Sequence, residues 1–179
     1  MLFANNCTPC HGNQGEGDAS IAAPAIAGLE EWYVKAQLEK FKSGVRGTHF
    51  DDIEGMRMRP MSLTLKTDTD VETVAGFVAN LPKAPVEATL QGGQAEKGAT
   101  AYAACAACHG PDGKGNQQLN APGLVGAHDW YLLSQLQKFK SGARGSDPAD
   151  ITGAQMAPMA ATLATEQDML DVIAHIQTL

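Results

Sequence analysis

A gap-free internal repeat constrains this 179-residue chain more than any other feature. Shifting the sequence by 105 − 7 = 98 positions lays Cys7, Cys10, His11 and Gly12 on Cys105, Cys108, His109 and Gly110. The same shift matches Pro24 with Pro122, Trp32-Tyr33 with Trp130-Tyr131, and Arg46-Gly47 with Arg144-Gly145. Lys40-Phe41-Lys42-Ser43-Gly44 returns as Lys138-Phe139-Lys140-Ser141-Gly142. Two copies are too few for a solenoid, so one domain has been duplicated. The first domain is expected at 1–81, a linker at 82–93, and the second domain at 94–179. Pro82, Pro85, Gly92 and Gly93 bracket a short polar stretch at that join. A domain this small buries a modest core and is marginal without a metal, disulfides or a large prosthetic group. Aromatic content of 6% is thin for a core built from side chains alone.

Each copy reads as helices joined by long loops. Glu31 to Ser43 places Val34, Leu38 and Phe41 on one face, and Asp129 to Ser141 does the same with Leu132, Leu136 and Phe139. Thr67-x-x-Asp70 reads as a capping box opening a helix to Asn80, repeated from Thr165 to Thr178. Ala95 to Ala107 is rich in helix formers. Residues 12–28 and 44–65, rich in Gly and Pro, read as loops. No alternating strand pattern of useful length occurs, so the class is all-α. Formal net charge is −7, shared between the copies with no basic run. That balance repels nucleic acid and anionic lipid. No apolar stretch approaches the roughly 20 residues of a membrane span, and no signal peptide is present in this chain. The chain opens only a few residues before Cys7, and the counterpart of Gly98 would fall at position 0. The first domain's opening helix is therefore expected to be shortened, as cleavage would leave it.

All four cysteines fall in Cys7-Thr8-Pro9-Cys10-His11 and Cys105-Ala106-Ala107-Cys108-His109. On one helical turn, residues i, i+3 and i+4 project from one side. Two thiols so placed reach the two vinyl groups of one porphyrin as thioethers, and the following histidine supplies an axial iron ligand. A thioredoxin-like redox pair would need a βαβ setting, which is missing. A zinc site would explain four cysteines but not a histidine after each pair. Disulfides would suit an exported protein but do not call for two such identical spacings. Two covalently bound haem c groups are the expected cofactors. His49, His128 and His175 face Asp147, Glu30 and Phe77 in the other copy, so they are not a shared ligand set.

A methionine thioether is the natural sixth ligand. Met56 faces Ala154, and Met1 and Met169 also lack a matching methionine. Two pairs survive: Met58 with Met156, and Met61 with Met159. Both lie in Met-x-Pro-Met, where Pro60 and Pro158 are expected to hold an extended loop before the last helix. The residues alone leave the choice between the pairs even.

The paired Cys-x-x-Cys-His sites, the Trp-Tyr-x-x-x-Gln-Leu helix and the methionine segment resemble class I c-type cytochromes, and specifically the dihaem cytochrome c4 family, over essentially the whole chain. The resemblance implies two tandem class I cytochrome c domains. It implies haem attachment at Cys7, Cys10, Cys105 and Cys108, with His11 and His109 as axial ligands. It favours Met58 and Met156, each seven residues before Leu65 or Leu163, as the other axial ligands, and makes Met61 and Met159 packing residues. Pro24 and Pro122 would offer carbonyls to the histidines. Trp32, Tyr33, Arg46 and their copies Trp130, Tyr131 and Arg144 would lie near the haem propionates or in the core.

The expected function is single-electron transfer in the periplasm between redox proteins, such as a quinol-oxidising complex and a terminal oxidase. With both axial positions filled, no open site remains for a substrate. Two other readings stand beside it: a haem c domain pair of a larger membrane oxidase or dehydrogenase, and a dihaem enzyme such as a peroxidase. A thiosulfate-oxidising centre would call for an axial cysteine, and none is left over.

Overall fold

The computed structural model describes residues 2–83 and 85–179. Met1, in the expected first domain, and Ala84, in the expected linker, lie outside the described residues. The chain divides into two compact units, Met1–Ala84 and Pro85–Leu179. Among the described residues the regular structure is helical, with only isolated bridges besides.

The first unit holds α1 (Leu2–Asn6), α2 (Thr8–His11), α3 (Glu31–Ser43), α4 (Ile53–Ser62) and α5 (Asp68–Ala79). Helix α5 opens on the expected capping box, with Thr67 accepting from Asp70 N and Asp70 accepting from Thr67 N. Its inner face buries Val71, Val74 and Val78 against Phe3, Leu38 and Leu65. Helix α3 stops where Gly44 takes a left-handed conformation at φ 83°.

The second unit holds α6 (Ala95–His109), α7 (Asp129–Ser141), α8 (Ile151–Thr162) and α9 (Glu166–Ile176). Tyr102, Leu132, Leu163, Met169, Val172, Ile173 and Ile176 form its core. Helix α6 is one continuous element, whereas α1 and α2 are interrupted at Cys7. Pro9 explains the interruption: it has no N–H for the carbonyl four residues back, and its ring crowds that carbonyl. Ala107 stands at the matching place in α6.

The Met-x-Pro-Met segments correct the sequence reading. They are helical, within α4 and α8, rather than extended loops. Asp52 and Asp150 start these helices by accepting from Gly55 N and Gly153 N at 3.2 and 2.9 Å. Pro60 and Pro158 each deprive one carbonyl of its partner, on Met56 and Ala154. Both of those residues are exposed, so water can take the place of the missing N–H.

Candidate functional site

In each unit the Cys-x-x-Cys-His turn ends a helix, and the following loop folds back over it. Gly17 N donates to His11 O at 2.8 Å, and Gly115 N to His109 O at 2.8 Å. Asp18 and Ala23 then exchange two backbone hydrogen bonds, of 2.7 and 2.9 Å, across the short turn Ala19–Ile21. Asn116 and Ala121 repeat this at 2.7 and 3.0 Å. The closure has no room for a side chain at its base, because a Cβ on Gly17 would meet Ala25 N at 2.5 Å.

The loop's product is a carbonyl aimed at the imidazole. His11 Nδ1 donates to Pro24 O at 2.8 Å, and His109 Nδ1 to Pro122 O at 2.8 Å. A carbonyl only accepts, so Nδ1 carries the proton and Nε2 keeps its lone pair. Burial lowers the pKa of both histidines, against the opposing pull of that hydrogen bond. Each imidazole is therefore neutral, oriented, and ready to ligate through Nε2.

The cysteines differ in exposure within each pair. Cys7 and Cys105 are half-buried, while Cys10 and Cys108 are exposed. Burial, with a smaller contribution from Cys10, pushes the Cys7 thiol up to about 11. Burial likewise raises Cys105.

Met58 packs against the same apolar cluster as Cys7, formed around Phe3, Leu38, Val71 and Val74. Met61 lies three residues on, half-buried, along the same side of α4. Met156 and Met159 are half-buried on α8. Arg46 is buried, donates from Nη1 to Gln37 Oε1 at 2.8 Å, and lies over the Phe41 ring at 4.6 Å. Arg144 repeats this with Gln135 at 2.8 Å and Phe139 at 4.5 Å. Trp32 and Tyr33 meet edge-on at 5.8 Å, Trp130 and Tyr131 at 6.1 Å, and His128 stacks on Trp130 at 5.1 Å.

The residues present fit a haem. Trp130 Nε1 is shielded from solvent and has no hydrogen-bond acceptor among the described residues, and the same is true of Arg59 Nε. Two buried donors without protein acceptors suit a group that brings its own carboxylates. His11 is joined to Pro24 and His109 to Pro122, and Cys7 and Met58 each pack on one apolar cluster. Sequence reasoning missed Gln37 and Gln135, which anchor the arginines, and Asp52 and Asp150, which start α4 and α8. All four match across the repeat, so a full comparison of the copies could have found them.

The cytochrome c family profile matches residues 1–82 and 95–179. A thiosulfate dehydrogenase electron acceptor of Stutzerimonas stutzeri (strain A1501) is 32% identical over 158 residues, 82% of this chain and 68% of that one. A cytochrome c4 of Thiocapsa roseopersicina is 32% identical over 183 residues, 97% of this chain and 86% of that one. The solved cytochrome c4 structure of Acidithiobacillus ferrooxidans matches with a TM-score of 0.80 at 25% identity, covering 98% of this chain and 99% of its own.

Proposed function

The chain belongs to the cytochrome c family, as an electron-transfer protein of the dihaem cytochrome c4 type with two haem c groups, and from that premise we propose which residues hold the haems and what the protein serves. Cys7 and Cys10 carry one haem, Cys105 and Cys108 the other. His11 with Met58, and His109 with Met156, are the axial ligands. When bound, each haem iron takes up and releases one electron.

One repeated observation carries the assignment: the 2.8 Å bond from each histidine Nδ1 to a proline carbonyl, in both units. It fixes the tautomer and turns the ring, leaving Nε2 as the ligating atom. The shared packing of Cys7 and Met58 on one cluster supports Met58 over Met61. Arg46 and Arg144, clamped by Gln37 and Gln135, hold positive charge within each unit. His11 is itself buried, with the Pro24 carbonyl on its Nδ1, which keeps water from that side of the imidazole.

A neutral His/Met pair at each iron fits an electron carrier in the periplasm rather than an enzyme. The relative named as an electron acceptor of thiosulfate dehydrogenase points the same way: this chain receives electrons from one redox protein and gives them to another, such as a terminal oxidase. Contacts in such relays are small and transient. The −7 charge favours partners with basic docking surfaces.

Intact mass of the purified holoprotein should show two haem additions, mapped to the peptides holding Cys7/Cys10 and Cys105/Cys108. The wild-type reduced protein should bind no carbon monoxide. Met58→Ala should open one iron to carbon monoxide, and Met61→Ala should open neither. Carbon monoxide binding by Met61→Ala but not Met58→Ala would overturn the ligand assignment.

A further inference from the structure

The outer face of α4 is apolar and open to solvent. At about 100° per residue, Ile53, Met56, Pro60 and Leu63 fall in one stripe along that helix. Ile53 is 59% exposed, Met56 47% and Leu63 41%, and Phe50, just before the helix, is 76% exposed. Pro60 is exposed as well. Among the described residues nine large apolar side chains are exposed, and these are four of them. Such clustering departs from the single scattered apolar residues usual on a protein surface. At the same 100° per residue, the midline of the stripe lies about 180° around the helix from Met58. A haem ligated by Met58 therefore leaves the stripe uncovered.

The charges beside the stripe run against those of the chain as a whole, which carries −7. Arg57, with its side chain half in solvent, borders Ile53 and Pro60. Lys66 sets its ammonium at the far end by donating from Nζ to Leu63 O at 2.9 Å. Glu54 meets Arg57 only at 3.9 Å, a loose surface pair worth little, and Asp51 lies before the helix begins. The second unit repeats the stripe as Ile151, Ala154, Pro158 and Ala161, all exposed. There it is trimmed to alanine at two places, and α8 carries no charge beside it.

Charge selects the occupant. A twofold dimer formed on the stripe would bring Arg57, near its middle, close to the copy's Arg57, between two chains of −7 each. An anionic bilayer suits the two cations but repels the rest of the chain. A protein face that is apolar at its centre and acidic at its rim satisfies the stripe and the cations together. We propose that the α4 stripe of the first unit, Phe50, Ile53, Met56 and Leu63 with Arg57 and Lys66, docks a redox partner that presents such an acidic-rimmed apolar face. The remaining acidic surface suits a basic partner, so two partners are told apart by the sign of their charge. This docking site deepens the electron-carrier reading given above and rests on it.

The test is voltammetry of the holoprotein on gold coated with mixed alkanethiols, carboxylate- plus methyl-terminated, which imitate the partner face. The wild type should adsorb there at low salt despite its −7 charge. Ile53→Ser with Leu63→Ser should lower the electroactive coverage about tenfold. Arg57→Gln with Lys66→Gln should lower it similarly and remove most of its salt dependence. Ile151→Ser should adsorb as the wild type does. On an ammonium- plus methyl-terminated layer, which meets the acidic remainder, all variants should match the wild type. The proposal is overturned if the wild type does not adsorb to the carboxylate layer, if the Ile53/Leu63 variant adsorbs equally well, or if Ile151→Ser loses as much. It is overturned in favour of a bilayer if the wild type, but not the Ile53/Leu63 variant, sediments with phosphatidylglycerol vesicles. It is overturned in favour of a second copy if sedimentation equilibrium shows a dimer that the same variant abolishes. The electron-carrier reading fails separately, if the reduced wild type is not reoxidised by hexacyanoferrate(III).

Discussion

Gly98 is where the crossing of α6 and α9 can be tested most sharply. A Cβ at Gly98 would lie 1.9 Å from Asp171 O, 2.4 Å from Asp171 C and 3.0 Å from His175 Cβ. An ordinary carbon–oxygen contact is about 3.3 Å or longer. The obstacle is helix backbone, which cannot swing aside, so Gly98→Ala must push the helices apart by more than 1 Å. Two effects compete. Alanine gains about 1 kcal/mol of helix propensity over glycine. Overpacking costs about 1–3 kcal/mol, and a backbone-to-backbone clash belongs at the upper end. The expected net loss is about 2 kcal/mol. In a unit of 179 − 85 + 1 = 95 residues, that lowers the melting temperature by about 8–16 °C. Gly76 on α5 is the control. Its Cβ would meet only the Glu31 carboxylate group, at 3.8 Å. Gly76→Ala therefore keeps only the propensity gain and should raise melting of the first unit by about 4–8 °C. Thermal unfolding of the holoproteins, followed by far-UV circular dichroism, reads both. If Gly98→Ala melts at or above wild type while Gly76→Ala is stabilised, the close crossing argued from Gly98 is wrong.

Ala22 holds a left-handed conformation at φ 53° where Asn120 takes the same role in the second copy at φ 54°. Ala22→Asn should stabilise the first unit by up to about 1 kcal/mol, since asparagine tolerates that conformation better; a lower denaturation midpoint would refute the strain argument. Asp129 is buried and accepts from Thr89 N, Thr89 Oγ1, Leu90 N and Trp130 N, which ties the segment before α6 to the start of α7. Burial pushes its pKa up, but those hydrogen bonds outweigh it and leave the group below the usual carboxylate range. A depressed carboxylate stabilises the fold above its unfolded pKa of about 3.9, and that stabilisation is lost as pH falls through the lower folded value. Asp129→Asn should therefore be less stable than wild type at neutral pH, with the gap closing in acid below about pH 4. Urea unfolding across pH 3–7 measures it, and a gap that stays constant with pH would count against the carboxylate's role.

Much of the fold was legible because its signals are local. The boundaries of α3 and α7 follow from apolar spacing and a terminal glycine, and the capping boxes of α5 and α9 from two residues each. The Met-x-Pro-Met segments were misread because a proline's usual cost was assigned without its surroundings. That cost depends on whether the deprived carbonyl is buried, and here both lie on exposed residues. The site was legible where its geometry repeats at short range, in Cys-x-x-Cys-His. The bond from His11 to Pro24 spans 13 residues and depends on a loop closed by backbone pairs, so residue types alone do not specify it. Arg59 was hidden for the opposite reason: the repeat directs attention to what matches, and Arg59 faces Ala157.

A duplicated chain is its own control, and its mismatches can be sorted by what they conserve. Phe3 packs on Phe77 at 4.8 Å, whereas the second unit pairs Tyr102 with His175 at 5.2 Å. Tyr102 matches Ala4, not Phe3, so the aromatic wedge has moved by one residue and its partner has changed with it. The volume is kept and the identities are not, which is the behaviour of packing. Tyr102 also gains a bond from its hydroxyl to Gly110 O at 2.9 Å, which Phe3 cannot make. The histidine–proline bonds and the arginine–glutamine clamps behave differently, holding the same residues at 2.8 Å in both units. Such invariance is what a shared prosthetic group imposes, since its ligands must reach one metal at one distance. Arg59 against Ala157 fits neither pattern. No volume is compensated and no bond is repeated, so the half-buried arginine with its shielded Nε is a local difference between the two units rather than a shift of packing or a repeated clamp.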